Sequence, residues 1–83
     1  MTYTIIIPER VERILDKLEP RVNERIRTKL RSIETDPIRH CKRLVGTASW
    51  RLRVGSYRVI LDIDEGELIV LVIEVVHRSK AYR

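Results

Sequence analysis

The sequence predicts one small α+β domain, residues 1–83, in which two helices pack on one face of a mostly antiparallel sheet. The chain has 83 residues, which is enough for a single hydrophobic core. Apolar residues make up 43% of it, as in ordinary globular proteins. The apolar positions recur at helical spacing in the first half, and short strands follow in the second. The predicted order is an N-terminal strand, an antiparallel helix hairpin and an antiparallel β-meander.

The N-terminal strand and the first helix come from residues 2–19. Residues 2–7 are rich in β-branched side chains, which predicts a strand. Pro8 fits the first turn of a helix, because its missing N–H would have no partner there. Pro20 prevents the helix from continuing, since the residue before a proline avoids helical dihedrals. The apolar stripe of this helix is Val11, Ile14, Leu15 and Leu18.

The second helix follows Pro20 and ends at the sequence Thr35-Asp36-Pro37. One face is apolar and consists of Val22, Ile26, Leu30 and Ile33. Cations occupy the other faces, which we interpret as solvent-exposed: Arg21, Arg25, Arg27, Lys29 and Arg31. Residues 38–49 show no clear period, and we expect a basic connection with a short strand near residues 42–45.

Three strands are predicted in the second half, at residues 50–54, 57–63 and 68–76. Gly55-Ser56 and the acidic sequence at residues 64–67 are the turns between them. The last strand is apolar at nearly every position, so we expect it to be central and covered on both faces. A two-residue turn at Gly55-Ser56 pairs Arg53 with Arg58.

Side chains alternate along a strand, so the meander has one apolar row and one charged row. The apolar row faces the helices and consists of Trp50, Leu52, Val54, Val59, Leu61 and Ile63. Arg51, Arg53 and Arg58 then cluster on the opposite face, where like charges repel one another unless an anion binds. The alternative is that Arg53 and Arg58 splay apart and pair with Asp62, Asp64 or Glu74.

The charge pattern points to a polyanion. The chain has a net charge of +5, and arginine supplies most of its cations. Such an excess favours a nucleic-acid partner, although solubility alone can also explain it. Arginine binds phosphate oxygens with two donors, histidine transfers protons near neutral pH, and tyrosine stacks on bases. With His77, Arg78 and Tyr82 at the end of the chain, these residue types suit the cleavage of RNA.

Several other classes are disfavoured. No apolar run reaches the roughly 20 residues of a membrane helix, and no secretory signal is present, so we expect a cytoplasmic protein without membrane contact. Cys41 is the single cysteine and cannot form an internal disulfide. With only His40 and His77 to accompany it, a metal site is not expected, and neither is a cofactor.

The sequence resembles the RelE/ParE superfamily of toxin–antitoxin toxins over nearly its whole length. The resemblance lies in the order of elements, in "RLVGTASWRLRVGSYRVIL" and in the terminal "VVHRSKAY". In the RelE branch it implies a metal-independent endoribonuclease that cuts messenger RNA on the ribosome through attack by the RNA's own 2′-hydroxyl. It also implies a cognate antitoxin as partner, in complexes that can form hetero-oligomers.

Carried over by position, the resemblance implies roles for individual residues. Arg58 falls on the arginine that contacts the scissile phosphate, and Arg78 falls on an arginine near the end of the last strand; we expect both to hold that phosphate. Arg51 and Arg53 fall on basic strand positions of RelE toxins. His77 stands where some members transfer protons, and Tyr82 where a tyrosine positions the base. The cations that flank these residues are expected to bind RNA: Lys42, Arg43, Lys80 and Arg83.

Two departures leave alternatives open. Some RelE toxins have lysines where this chain has Arg51 and Arg53, and arginine is a poor proton acceptor, so proton transfer should shift to His77 or Tyr82. We also expect no room for the C-terminal helix that some relatives possess. The ParE branch shares the fold and poisons DNA gyrase without cutting RNA. A degenerate toxin that only binds RNA or an acidic antitoxin segment is the third interpretation.

Overall fold

The computed structural model describes residues 1–81, which form five strands and four helices. In chain order these are β1 (Thr4–Ile6), α1 (Glu9–Asp16), α2 (Pro20–Ser32), α3 (Pro37–His40), β2 (Lys42–Arg43), β3 (Trp50–Val54), β4 (Tyr57–Asp64), β5 (Ile69–His77) and α4 (Arg78–Ala81). The predicted order of a strand, two helices and a meander is confirmed. Two short helices, α3 and α4, are added to it, and β2 lies within the short strand expected near residues 42–45.

Proline precedes or begins both long helices. The carbonyl of Pro8 accepts the backbone N–H groups of Val11 and Glu12 at 2.9 Å. Pro20 is the first residue of α2, where the absence of an N–H leaves no hydrogen bond unmade. The side chain of Arg27 donates to Glu12 Oε1 at 2.5 Å and joins the two helices. α1 and α2 therefore form the predicted hairpin.

The strands form one sheet in the order β1-β5-β4-β3-β2, with β1 parallel to β5 and the other neighbours antiparallel. The predicted register of the β3–β4 hairpin is confirmed, with these pairs: Val54 and Tyr57, Arg53 and Arg58, Arg51 and Ile60. The pairing of β4 with β5 shifts between Ile60 and Leu61. This shift leaves Ile73 as an extra residue of β5, a β-bulge.

The core lies between the helices and one face of the sheet. The sheet contributes the buried residues Leu52, Val54, Val59, Leu61, Val70, Val72 and Val75. The helical region contributes Val11, Leu15, Ile26, Leu30 and Ile33. Trp50 is half-buried and packs against this cluster, which confirms its predicted position in the apolar row.

One expectation about β5 was wrong. β5 is not covered on both faces, since Val70, Val72 and Val75 are buried but Glu74 is exposed. The reason is that α1 and α2 cover only the face that carries these valines. A helical turn, α4, also follows β5 directly. None of the helices within residues 1–81 is long and apolar enough to cross a membrane.

Candidate functional site

The turn of the β3–β4 hairpin sets the positions of the arginines. Gly55 has a φ of +58°, in the left-handed region that glycine enters without steric strain. This turn places Arg53 directly opposite Arg58 on the neighbouring strand. Arg51 precedes Arg53 by two residues and therefore lies on the same face, which we call the open face. In register, Arg51 is next to Lys42 on β2 and Ile60 on β4.

A fourth arginine reaches this face from the end of β5. The backbone N–H of Arg78 donates to the carbonyl of Ser56 at 2.7 Å and ties the start of α4 to the hairpin turn. A small pocket opens where these elements meet. It is lined by Arg51, Arg53, Gly55, Ser56, Tyr57, Arg58 and Arg78. The structure thus brings together four of the residues that the sequence analysis assigned to catalysis; we call them the arginine cluster.

The charges of this cluster are not compensated by nearby acids at most positions. Within residues 1–81, no carboxylate lies within ion-pair distance of Arg51, Arg53 or Arg78. Arg53 is exposed and Arg51 is half-buried. Guanidinium groups in such an arrangement can bind successive phosphates or stabilise the charge of a phosphoryl transition state.

The acids that could have neutralised Arg53 have other partners or positions. Asp62 Oδ1 accepts the hydroxyl of Ser49 at 3.2 Å. Asp64 Oδ1 accepts the backbone N–H of Glu67 at 3.0 Å. The alternative in which Arg53 pairs with an acid of β4 or β5 is therefore absent from the described part of the chain.

His77 lies on the opposite side of the sheet from the arginines. It pairs in register with Tyr57, one position beyond the pair of Arg58 and Val76. Its ring meets the Tyr57 ring edge to face, with centroids 5.1 Å apart. The backbone N–H of Ser79 donates to His77 Nδ1 at 3.2 Å, so the neutral ring carries its proton on Nε2. His77 thus contacts the site through Tyr57 and does not line the pocket.

The predicted RNA-binding cations are divided between the two faces. Lys42 lies beside Arg51, whereas Arg43 pairs with Trp50 on the other face and holds its guanidinium carbon 5.4 Å from the Trp50 ring centroid. Lys80 is exposed on α4. The predicted site residues Tyr82 and Arg83 lie outside the described residues.

Some residues that the sequence analysis assigned elsewhere also lie beside the cluster. A second pocket is lined by Lys29, His40, Lys42, Arg51, Leu52 and Arg53. Lys29 was predicted to lie on a solvent-exposed helix face, and His40 was given no binding role. A usable signal was the spacing of Lys29 from Arg25 and Arg21 on α2, which is four residues at each step and places all three on one ridge.

Cys41 is separate from this chemistry. The side chain belongs to the core cluster, and burial raises the pKa of its thiol to about 11. Because the thiolate is the reactive form, Cys41 is a poor nucleophile at neutral pH. Residues 1–81 contain no group of three or more histidine, cysteine or acidic side chains arranged to hold a metal ion.

The sequence matches a known toxin family. The profile of the ParE toxin of type II toxin–antitoxin systems (parDE) matches residues 5–82. None of the curated protein sequences matches the chain significantly.

Solved structures share the fold over nearly the whole chain. The RelBE2 toxin–antitoxin complex from Mycobacterium tuberculosis is 27% identical, with a TM-score of 0.79 and coverage of 94% of this chain and 100% of the other. The isolated RelE toxin of E. coli is 27% identical, with a TM-score of 0.75 and coverage of 96% and 90%. The archaeal RelE–RelB complex from Pyrococcus horikoshii OT3 is similar in fold, with a TM-score of 0.83 at 24% identity and coverage of 96% and 99%.

Proposed function

The chain belongs to the ParE toxin family of type II toxin–antitoxin systems, within the RelE/ParE superfamily, and we propose that it cuts messenger RNA on the ribosome. The supporting observation is the arginine cluster, in which Arg51, Arg53, Arg58 and Arg78 line one pocket on the open face. A surface that only contacts a protein does not require several guanidinium groups at one point. A polyanion does, because each guanidinium can hold phosphate oxygens with two donors.

In the proposed reaction the 2′-hydroxyl of the RNA attacks the adjacent phosphorus atom. The new O–P bond forms as the bond to the 5′-oxygen breaks, which leaves a 2′,3′-cyclic phosphate and a 5′-hydroxyl end. One proton leaves the attacking hydroxyl and one is added to the departing oxygen. Arg58 and Arg78 hold the scissile phosphate in this proposal, and Arg51 and Arg53 bind flanking phosphates and stabilise the additional charge of the transition state.

Proton transfer is assigned to His77 or Tyr82, because arginine stays protonated at physiological pH. His77 presents Nε2–H in its neutral form, since Nδ1 accepts the Ser79 backbone N–H. If His77 takes part in proton transfer, His77→Ala should slow cleavage by about 10²–10⁴-fold.

The proposed partners are a ribosome-bound message in the cytoplasm and an antitoxin. The related RelE toxins occur in solved complexes with RelB antitoxins. An antitoxin of this chain would abolish cleavage by covering the arginine cluster or by displacing α4, whose first residue is bonded to the hairpin turn.

The decisive experiment adds the purified protein to a translating extract and maps 5′-hydroxyl ends on the message. The wild type should produce such ends, and Arg58→Ala should reduce their rate of formation about 10²–10³-fold, the loss expected when a donor to transition-state charge is removed. Arg31→Ala is the matched control, because Arg31 is exposed on α2 and its side chain bonds only to Thr28 within the described residues. Equal cleavage by Arg58→Ala and by Arg31→Ala would contradict the proposal.

A ParE-like gyrase inhibitor is the second candidate, and the match to the ParE toxin profile favours it. In that case the arginine cluster would contact gyrase or its bound DNA and would carry out no chemistry. An intact message in the extract together with trapped gyrase–DNA complexes would establish this candidate in place of the nuclease.

A further inference from the structure

A groove separates α2 from the edge of β3, on the side of the hairpin away from β4. It has a volume of about 710 Å³, within the range of roughly 300–1,000 Å³ found for ligand-binding clefts. It is lined by Arg21, Glu24, Arg25, Thr28, Lys29 and Ser32 of α2, and by Arg53, Val54 and Gly55 of the hairpin. Four of these side chains are cationic and one is acidic.

The groove is accessible because β3 has a partner along only part of its outer edge. β2 pairs Lys42 with Arg51 and Arg43 with Trp50, and this pairing stops there. From Leu52 onward, the outer edge of β3 has no strand neighbour within residues 1–81. A ligand in the groove can therefore reach both the α2 side chains and the exposed edge of the strand.

The cations of α2 form a regular row along this groove. Arg21, Arg25 and Lys29 are four residues apart, so they lie on one ridge with a rise of about 6 Å between neighbours. Like charges at this spacing destabilise a helix. Within residues 1–81 none of the three has an ion-pair partner, whereas Arg27 on the same helix is paired with Glu12. The row is thus suited to an anion with repeating charges.

The groove is continuous with the arginine cluster. Arg53 lines the groove, the pocket that contains Arg58 and Arg78, and the pocket that contains Lys42. Arg25 extends to the hairpin turn, where its Nη1 lies 3.2 Å from the position that a Cβ on Gly55 would occupy. The cations of α2 and those of the open face thus meet at the same turn.

We propose that this groove binds the single-stranded RNA that flanks the segment held at the arginine cluster, and that the strand crosses the edge of β3 at Arg53. The inference rests on the proposed function, since it names a second part of the same substrate site. The evenly spaced cationic row favours a phosphodiester backbone over an acidic peptide, whose carboxylates alternate with other side chains. The α2 cations then set how many nucleotides the protein contacts.

The test measures fluorescence anisotropy with 2′-deoxy single strands, which the proposed reaction cannot cleave. One strand has about four nucleotides and the other about twelve, within the range of single-strand sites on small domains. The groove variant R21Q/K29Q is compared with R13Q/R31Q, which removes two exposed cations outside the groove. We expect the groove variant to lose about 10-fold in affinity for the longer strand and to reduce its salt slope by about 1.4.

The shorter strand should bind equally to all three proteins, because the arginine cluster alone can hold it. If R21Q/K29Q and R13Q/R31Q lost equal affinity for the longer strand, the inference would be overturned, because the attraction would then come from the overall positive charge and not from the groove. It would also be overturned if R21Q/K29Q lost affinity for a polyglutamate peptide but not for the longer strand. Thermal unfolding checks that the variants fold, and R25Q provides a second groove variant if R21Q/K29Q is unstable.

The groove and the nuclease proposal can fail separately. If the wild type leaves the message intact but R21Q/K29Q still loses affinity for the longer strand only, the groove binds nucleic acid and the nuclease proposal is wrong. If the wild type cuts the message and R21Q/K29Q cuts and binds as R13Q/R31Q does, the groove inference is wrong and the nuclease proposal stands.

Discussion

The two sides of the sheet use arginine in opposite ways. On the helix side, Arg27 donates to Glu12 and to Asn23, and the hydrogen bond between Arg27 and Glu12 lowers the pKa of Glu12 and raises that of Arg27. On the open face, Arg53 stands opposite Arg58 and has no ion-pair partner within residues 1–81. Both residues are arginines, and the difference between them is the acid beside Arg27. Arg27 therefore has a structural role, whereas Arg53 is available to a ligand.

The largest expected effect tests whether the helix side alone carries the fold. Leu61 is fully buried against the helices, and Leu61→Ala should lower the free energy of unfolding by about 2–5 kcal/mol through lost burial and a residual cavity. The measurement is urea-induced unfolding followed by circular dichroism.

The preceding residue of the same strand is the control. Ile60 faces the open side and is only half-buried, so Ile60→Ala should lower the free energy of unfolding by about 1 kcal/mol or less. Equal losses at the two positions would mean that the open face is packed as tightly as the helix side, which would remove the contrast between them.

A smaller effect should appear at the structural arginine when the pH is lowered. Because Arg27 lowers the pKa of Glu12 in the folded state, this carboxylate stabilises the protein above its unfolded pKa, and the stabilisation is lost as the pH falls through the folded pKa. The Glu12 side chain is 40% exposed, so the contribution should be about 0.5–1 kcal/mol. Between about pH 5 and 3, Glu12→Gln should therefore lose less stability than the wild type.

Glu9→Gln is the matched control for this measurement. Glu9 also pairs with an arginine, Arg13, but the two side chains are 80% and 72% exposed. Because this pair is exposed, Glu9→Gln should change the free energy of unfolding at neutral pH by no more than about 0.5 kcal/mol. If Glu12→Gln and Glu9→Gln reduce the loss of stability between about pH 5 and 3 equally, the pair of Arg27 and Glu12 has no special role.

The alternation of apolar and charged residues in β3 and β4 predicted much of this contrast. The turn at Gly55-Ser56 fixed their register, so the opposition of Arg53 and Arg58 followed from local rules. The buried row was predictable for the same reason. Local rules suffice here because neighbouring strands joined by a short turn have few alternative pairings.

The faces occupied by the β5 side chains could not be predicted in this way. Alternation counted from the buried Val70 and Val72 puts His77 on the open face with the arginines. The extra residue Ile73 reverses the faces beyond it, so His77 instead joins the side of Val75 and Tyr57. A bulge depends on the pairing of two whole strands, and the sequence of β5 gives no local sign of it. The groove beside α2 was missed for a similar reason, because it depends on where β2 stops.

The smallest effect has the opposite sign and tests the contrast most directly. Arg53→Leu should leave the free energy of unfolding unchanged or raise it by up to about 1 kcal/mol, because the repulsion across the strand pair with Arg58 is removed. Arg27→Leu should lower it, because Glu12 then loses its partner. The gain in Arg53→Leu should shrink at high salt, since exposed charges are screened. A loss of more than about 1 kcal/mol in Arg53→Leu would place Arg53 among the residues that hold the fold, and the open face would lose its distinction as a surface kept charged for a ligand.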